Sequence, residues 1–192
     1  ALIAKAGETY KTVGILVNNA GISIAKLFLD SSMEEFDKMA NINFKGAYRT
    51  CKLALPYMIE NKFGRIINMA SMSPKYPCTF HTMYAATKAA VIAMTQGIAA
   101  EYGAYNITAN ALCPGIVRTE MWNKKDAGTM DKINAVLGGE ADSLWDSLVE
   151  AVPMKRPQTP EDIANTVIYL ASDLAENISA QALNINGGQL AN

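Results

Sequence analysis

Three side chains with complementary acid–base chemistry stand near one another in the middle of the chain: Ser71, Tyr84 and Lys88. Ile66 to Met69, just before Ser71, is a short, mostly apolar run that fits a parallel strand buried on both faces. Such strands deliver their C-terminal ends to the ligand crevice of an open α/β sheet. Ser71 is therefore expected at the mouth of a crevice. Tyr84 and Lys88 lie four apart in Tyr84-Ala85-Ala86-Thr87-Lys88, and on a helix that spacing sets both on one face. A hydroxyl, a phenol and an ammonium would then converge. Proton transfer is the chemistry they suit.

Spacing alone does not select them, because Tyr48 and Lys52 repeat it. That pair fits a solvated helix face: no strand-terminal serine precedes it, and its helix continues into Leu53, Leu55 and Pro56. Tyr84 has Ser71 before it, and Cys113-Pro114-Gly115 follows its helix and the next strand. The magnitudes are compatible with the chemistry. A phenol needs its pKa lowered by roughly 2 to 3 units, about 3 to 4 kcal/mol, to act as a base near neutrality. An ammonium about 4 Å away supplies on the order of 4 kcal/mol at an effective dielectric of about 20.

Ser71, Tyr84 and Lys88, with Asn18-Asn19-Ala20-Gly21, Asn43-Phe44-Lys45-Gly46 and Pro114-Gly115-Ile116-Val117-Arg118-Thr119, resemble the short-chain dehydrogenase/reductase family. The motifs keep the family's order over nearly the whole chain. The resemblance implies an α/β fold with a Rossmann-like, doubly wound parallel sheet in three α/β/α layers. It implies NAD or NADP as cofactor, with NAD placed first. Ser71 would donate to the substrate oxygen, Tyr84 would exchange the proton, Lys88 would hold the nicotinamide ribose, and Asn43 would position a relay water. Asn19, Ala20, Gly21, Pro114, Gly115, Val117 and Thr119 would line the cofactor, together with Tyr84 and Lys88.

The wording of Cys113 to Trp122, Ala151 to Met154 and Ser179 to Ile185 is similar to polyol (sorbitol-type) and acetoin/butanediol dehydrogenases. That likeness implies a small secondary alcohol or polyol and its ketone as substrate, with Ser73, His81 and Trp122 on the substrate side. A 3-oxoacyl carrier-protein reductase and a non-enzymatic member of the same fold are the alternatives. Family members commonly associate through the helix of Tyr84 and the one before it, so a homo-oligomer, tetramer or dimer, is implied. One departure is large: nothing here matches the family's first strands and glycine-rich turn. A chain without them is expected to expose an apolar sheet edge, to be poorly soluble or associate, and to bind NAD(P)H weakly.

The elements that must position these residues can be read in order. Residues 1–12 continue an amphipathic helix with Leu2, Ile3 and Ala6 on one side, and Val13 to Val17 read as a buried strand. Ser32-Met33-Glu34-Glu35 is a capping box that opens a helix. The resemblance implies that Asn43 kinks that helix, and Gly46, three residues later, fits a local distortion. The helix of Tyr84 is expected to run to about Tyr102 and stop at Gly103, with a small-residue stripe of Ala86, Ala90, Ala93 and Gly97. Ile107 to Leu112 is another buried strand. The stretch from about 120 to 150 is less regular and matches the family's substrate lid within a single domain, 1–192. Thr159-Pro160-Glu161-Asp162 starts a helix with Ile163, Val167 and Leu170 inward, and Ala182 to Ile185 closes the sheet.

Bulk properties exclude several other roles. The 192 residues carry a formal net charge of −1, which gives no electrostatic footprint for nucleic acid. No apolar run reaches the roughly 20 residues of a membrane span. The 3 cysteines, Cys51, Cys78 and Cys113, fit neither a zinc site nor a disulfide framework, so reduced thiols in the cytoplasm are expected. His81 is the only histidine, which excludes a multi-histidine metal site.

Overall fold

The computed structural model describes residues 2–119 and 141–191. A four-stranded parallel sheet runs β1 (Ile15–Asn18), β2 (Gly64–Met69), β3 (Ile107–Pro114) and β4 (Ala182–Ile185), with neighbours in chain order. The central strands are buried on both faces, as their apolar runs require. Side chains alternate across the sheet, so Ile66 and Ile67 enter opposite cores. Ile66 packs with α1 (Leu2–Tyr10), α3 (Gly46–Asn61) and α4 (Thr82–Tyr102), whereas Ile67 and Leu112 pack with Leu170 of α6 (Pro160–Ala171). The layers are α/β/α. Strand order runs one way, yet α6 crosses on the face opposite to α3 and α4, so its crossover winds in the opposite sense to theirs.

Both helix starts read from the sequence form, each as a capping box, which the sequence predicts only at Ser32. Ser32 and Glu35 exchange hydrogen bonds at the start of α2 (Met33–Met39), and Thr159 and Asp162 do so at α6. Between α2 and α3 the helix widens into a π-turn over Ala40–Lys45, and the Gly46 N–H reaches back to Asn41 O. The distortion expected at Asn43 is this π-turn.

Three local details differ from or refine the expectations. The first strand is Ile15–Asn18 rather than Val13–Val17, and it forms the expected exposed apolar edge of the described sheet: Ile15 is 50% and Val17 40% exposed, with only Leu16 buried. Leu2 points outward from α1, while Ile3 and Ala6 pack inward. α4 ends at Tyr102 with Gly103 as its C-cap, as expected, but Gly103 keeps a right-handed φ of −57° and starts a 3-10 turn, and the left-handed residue is Asn106, at φ 59°. Asn is the non-glycine residue that tolerates that conformation best.

α5 (Ala141–Glu150) falls at the end of the expected lid, whose remainder lies outside the described residues, as does Trp122. Trp145 on α5 is buried, with the Arg118 guanidinium 5.4 Å from its ring centroid. Among the described residues no helix is long and apolar enough to cross a membrane.

Candidate active site

Ser71, Tyr84 and Lys88 line one crevice of about 600 Å³ at the C-terminal ends of the strands. The positions follow from local structure: β2 ends at Met69 and releases Ser71, while the first two turns of α4 carry Tyr84 and Lys88 on one face. Tyr48 is 47% exposed, with the Lys52 ammonium 5.9 Å from its ring, so this pair is the solvated one.

Ser71 is buried and held by its own loop. Its hydroxyl donates to Ser73 Oγ at 3.1 Å and accepts from the Ser73 N–H at 3.1 Å. Lys88 is 3% exposed, and its ammonium donates to Met69 O at 2.7 Å. Burial lowers the Lys88 pKa to about 8, opposed by the Cys113 thiol nearby. Tyr84 moves the other way. Burial raises its phenol to about 12, the Ser71 hydroxyl pulls it back, and Cys113 adds a further rise. The electrostatic expectation is thus reversed in this crevice. Lys88 Nζ, 5.7 Å from the Tyr84 ring centroid and bound to Met69 O, does not offset the loss of water around the phenol.

Asn43 stands one layer behind the crevice. Its Oδ1 accepts from the Ile22 N–H at 2.8 Å, and its Nδ2 donates to Ile22 O at 2.9 Å and Thr87 Oγ1 at 3.0 Å. The π-turn aims this amide at the loop after β1 and ties it to α4. Asn43→Ala should therefore cost about 2 kcal/mol, a fall in Tm of about 4 to 8 °C. It should also weaken dinucleotide binding about tenfold. Thermal denaturation and an NADH titration check both, and an unchanged Tm would remove this role.

The expected cofactor residues Asn19, Gly21, Pro114, Gly115, Val117 and Thr119 line the same crevice, whereas Ala20 does not. The fit to a dinucleotide shows at Gly21, where an added Cβ would stand 3.3 Å from Lys88 Nζ and 3.4 Å from Asn43 Oδ1. Backbone approaches the site closely there because no side chain intervenes. At Gly115 an added Cβ would come within 2.5 Å of Gln158 Oε1.

Ser73 and His81, expected on the substrate side, are not crevice walls. Ser73 orients Ser71, and the buried His81 ring meets Tyr84 edge-on at 6.1 Å between centroids. Burial lowers the His81 pKa, against a backbone contact to Thr79 O that raises it. Sequence reasoning missed one wall. Pro160, Ile163, Ala164, Val167 and Ile168 of α6 line the crevice at i, i+3, i+4, i+7 and i+8, a periodicity present in the sequence.

Comparison with known proteins agrees with this geometry. The family described as enoyl-(acyl carrier protein) reductase matches residues 1–189. The chain is 34% identical to the 3-oxoacyl-[acyl-carrier-protein] reductase of Chlamydia pneumoniae over 181 residues, which cover 94% of this chain and 67% of that protein. It is 32% identical to the same-named enzyme of Thermotoga maritima over 97% of this chain and 70% of the relative. Among solved structures, sorbitol-6-phosphate 2-dehydrogenase from Erwinia amylovora superimposes with a TM-score of 0.93 at 26% identity, covering 100% of this chain and 74% of that one. A family match over residues 1–189, relatives 32 to 34% identical and the superposed fold lead to one assignment: the chain belongs to the short-chain dehydrogenase/reductase family of oxidoreductases.

Proposed function

We propose that this crevice interconverts a small secondary alcohol or polyol and its ketone, with NAD or NADP as hydride carrier. The observation that carries the reading is the meeting of Ser71, Tyr84 and Lys88 beside the Gly21 and Gly115 backbone. The dinucleotide, when bound, supplies or accepts the hydride. Ser71 turns its hydroxyl proton from Ser73 Oγ to the substrate oxygen, where charge develops, while the Ser73 N–H keeps Ser71 Oγ in place. Tyr84 gives its proton in ketone reduction, which a phenol held at about 12 does in its resting state. Lys88 adds positive charge beside the phenol and holds the ribose hydroxyls. Asn43 positions the Ile22 loop and supports a water-borne proton path. Asn19, Gly21, Pro114, Gly115, Val117 and Thr119 hold the dinucleotide, with Ala20 in the same loop.

The exposed face of α4, where Ala86, Ala93 and Gly97 leave little bulk, supports association of copies into a dimer or tetramer. A 3-oxoacyl thioester on a carrier protein is the second reading, favoured by the named activity of the 34% identical relative. Initial rates separate the two. With NADH and NADPH in turn, turnover of acetoin, a ketose or a ketose phosphate supports the first reading. Turnover confined to an acetoacetyl thioester overturns it in favour of the second.

A further inference from the structure

We propose that Lys75 is a positioning residue for Ser71, its ammonium tying the turn that follows Ser71 to β4 across the end of β3. The proposal rests on the reading of Ser71 as the donor to the substrate oxygen.

The loop leaving β2 carries the donor hydroxyl, yet it belongs to no regular element from Ser71 to His81. Something must hold it. At its start, β3 does so: Ala70 N–H donates to Leu112 O at 2.7 Å and Met72 N–H to Pro114 O at 3.1 Å. The chain then closes a tight turn in which the Lys75 and Tyr76 N–H groups both reach Met72 O at 2.9 Å. Ser73, inside this turn, makes both hydrogen bonds of the Ser71 hydroxyl, and its N–H fixes the position of Ser71 Oγ. Whatever fixes the turn therefore fixes Ser71.

The far end of the turn is fixed by Lys75. Its Nζ donates to Ala182 O at 2.6 Å and to Asn184 Oδ1 at 3.0 Å, contacts made across 107 and 109 residues of sequence. Ala182 and Asn184 pair with Ala111 and Cys113, so the lysine stem passes over the last residues of β3 on the α4 side of the sheet. Cys113 lies beneath it, fully buried, and burial holds its thiol in the neutral form against the pull of Lys75 and Lys88. A charged donor to two oxygens is the strongest class of hydrogen bond available here. The turn is clamped by β3 at one end and β4 at the other.

The test is a double-mutant cycle on the full chain. Lys75→Met should lower kcat about 10- to 100-fold through misplacement of the donor, with the dinucleotide KM unchanged. Lys75→Arg, which keeps the charge, should recover part of the loss. In a Ser71→Ala background the same Lys75→Met change should cost less than about twofold, because the group it positions is gone. Independently of turnover, amide exchange in the 70–80 segment of Lys75→Met should accelerate about tenfold or more, while β2 and α4 keep their protection. An equal kcat loss in both backgrounds, or unaltered exchange across 70–80, overturns the proposal. Unchanged turnover in Ser71→Ala alone would overturn the reading of Ser71 instead, and the exchange result would still decide whether Lys75 holds the turn.

Discussion

Tyr84→Phe is expected to lower kcat by about a thousandfold or more while the dinucleotide Kd stays within about twofold. Only the transferable proton is removed; the ring keeps its edge contact with His81 and its place in the crevice. The direction of the phenol's pKa adds a second signature. With the group at about 12, Tyr84 is protonated throughout the neutral range, so ketone reduction should be nearly flat from about pH 6 to 7 and fall above it as Lys88, at about 8, loses its charge. Alcohol oxidation needs the phenolate and should climb with pH across the neutral range. Steady-state rates in both directions check this, and unchanged turnover in the variant would rule Tyr84 out as the acid/base. In stability the phenol has the opposite slope: its folded pKa lies above the unfolded value of about 10, so its contribution is present below that pH and fades as pH rises toward 12.

Lys88→Met should abolish turnover by about a hundredfold or more and yet stabilise the fold. The ammonium is 3% exposed, and its pKa falls from 10.5 to about 8, which puts the cost of the buried charge at about 3 kcal/mol. Loss of the hydrogen bond to Met69 O offsets about 2 kcal/mol of that. The remainder, about 1 kcal/mol, raises Tm by about 2 to 4 °C at neutral pH. The sign with pH follows from linkage. Between pH 8 and 10.5 the unfolded lysine binds the proton that the folded one has released, so wild-type stability rises with pH across that interval. The advantage of the Met variant should therefore shrink from pH 7 to 10. Calorimetry at the two pH values checks it, and a variant that is less stable at pH 7 would sink the argument.

What the sequence determined by itself is the set of local, periodic features. A four-residue spacing sets Tyr84 and Lys88 on one face of α4, and the apolar run from Ile66 ends the strand next to Ser71, because helix and strand periods depend only on neighbours. The helix starts at Ser32 and Thr159 and the distortion allowed by Gly46 are local in the same way. The resemblance to a known family extended this reading to the cofactor loops, most of which do line the crevice.

The tertiary structure decided what depends on distant chain. Side-chain period cannot say which face of the sheet a helix covers, so the placing of α6 opposite α3 and α4, and its contribution to the crevice wall, emerged only from packing. The Asn43 amide meets Ile22 across 21 residues, and the Lys75 ammonium meets β4 across more than a hundred, contacts that no spacing rule encodes. The sense of the Tyr84 shift is of the same kind. An ammonium four residues away can be counted from the sequence, but the loss of water around the phenol is set by segments that fold over it, and burial is the larger effect.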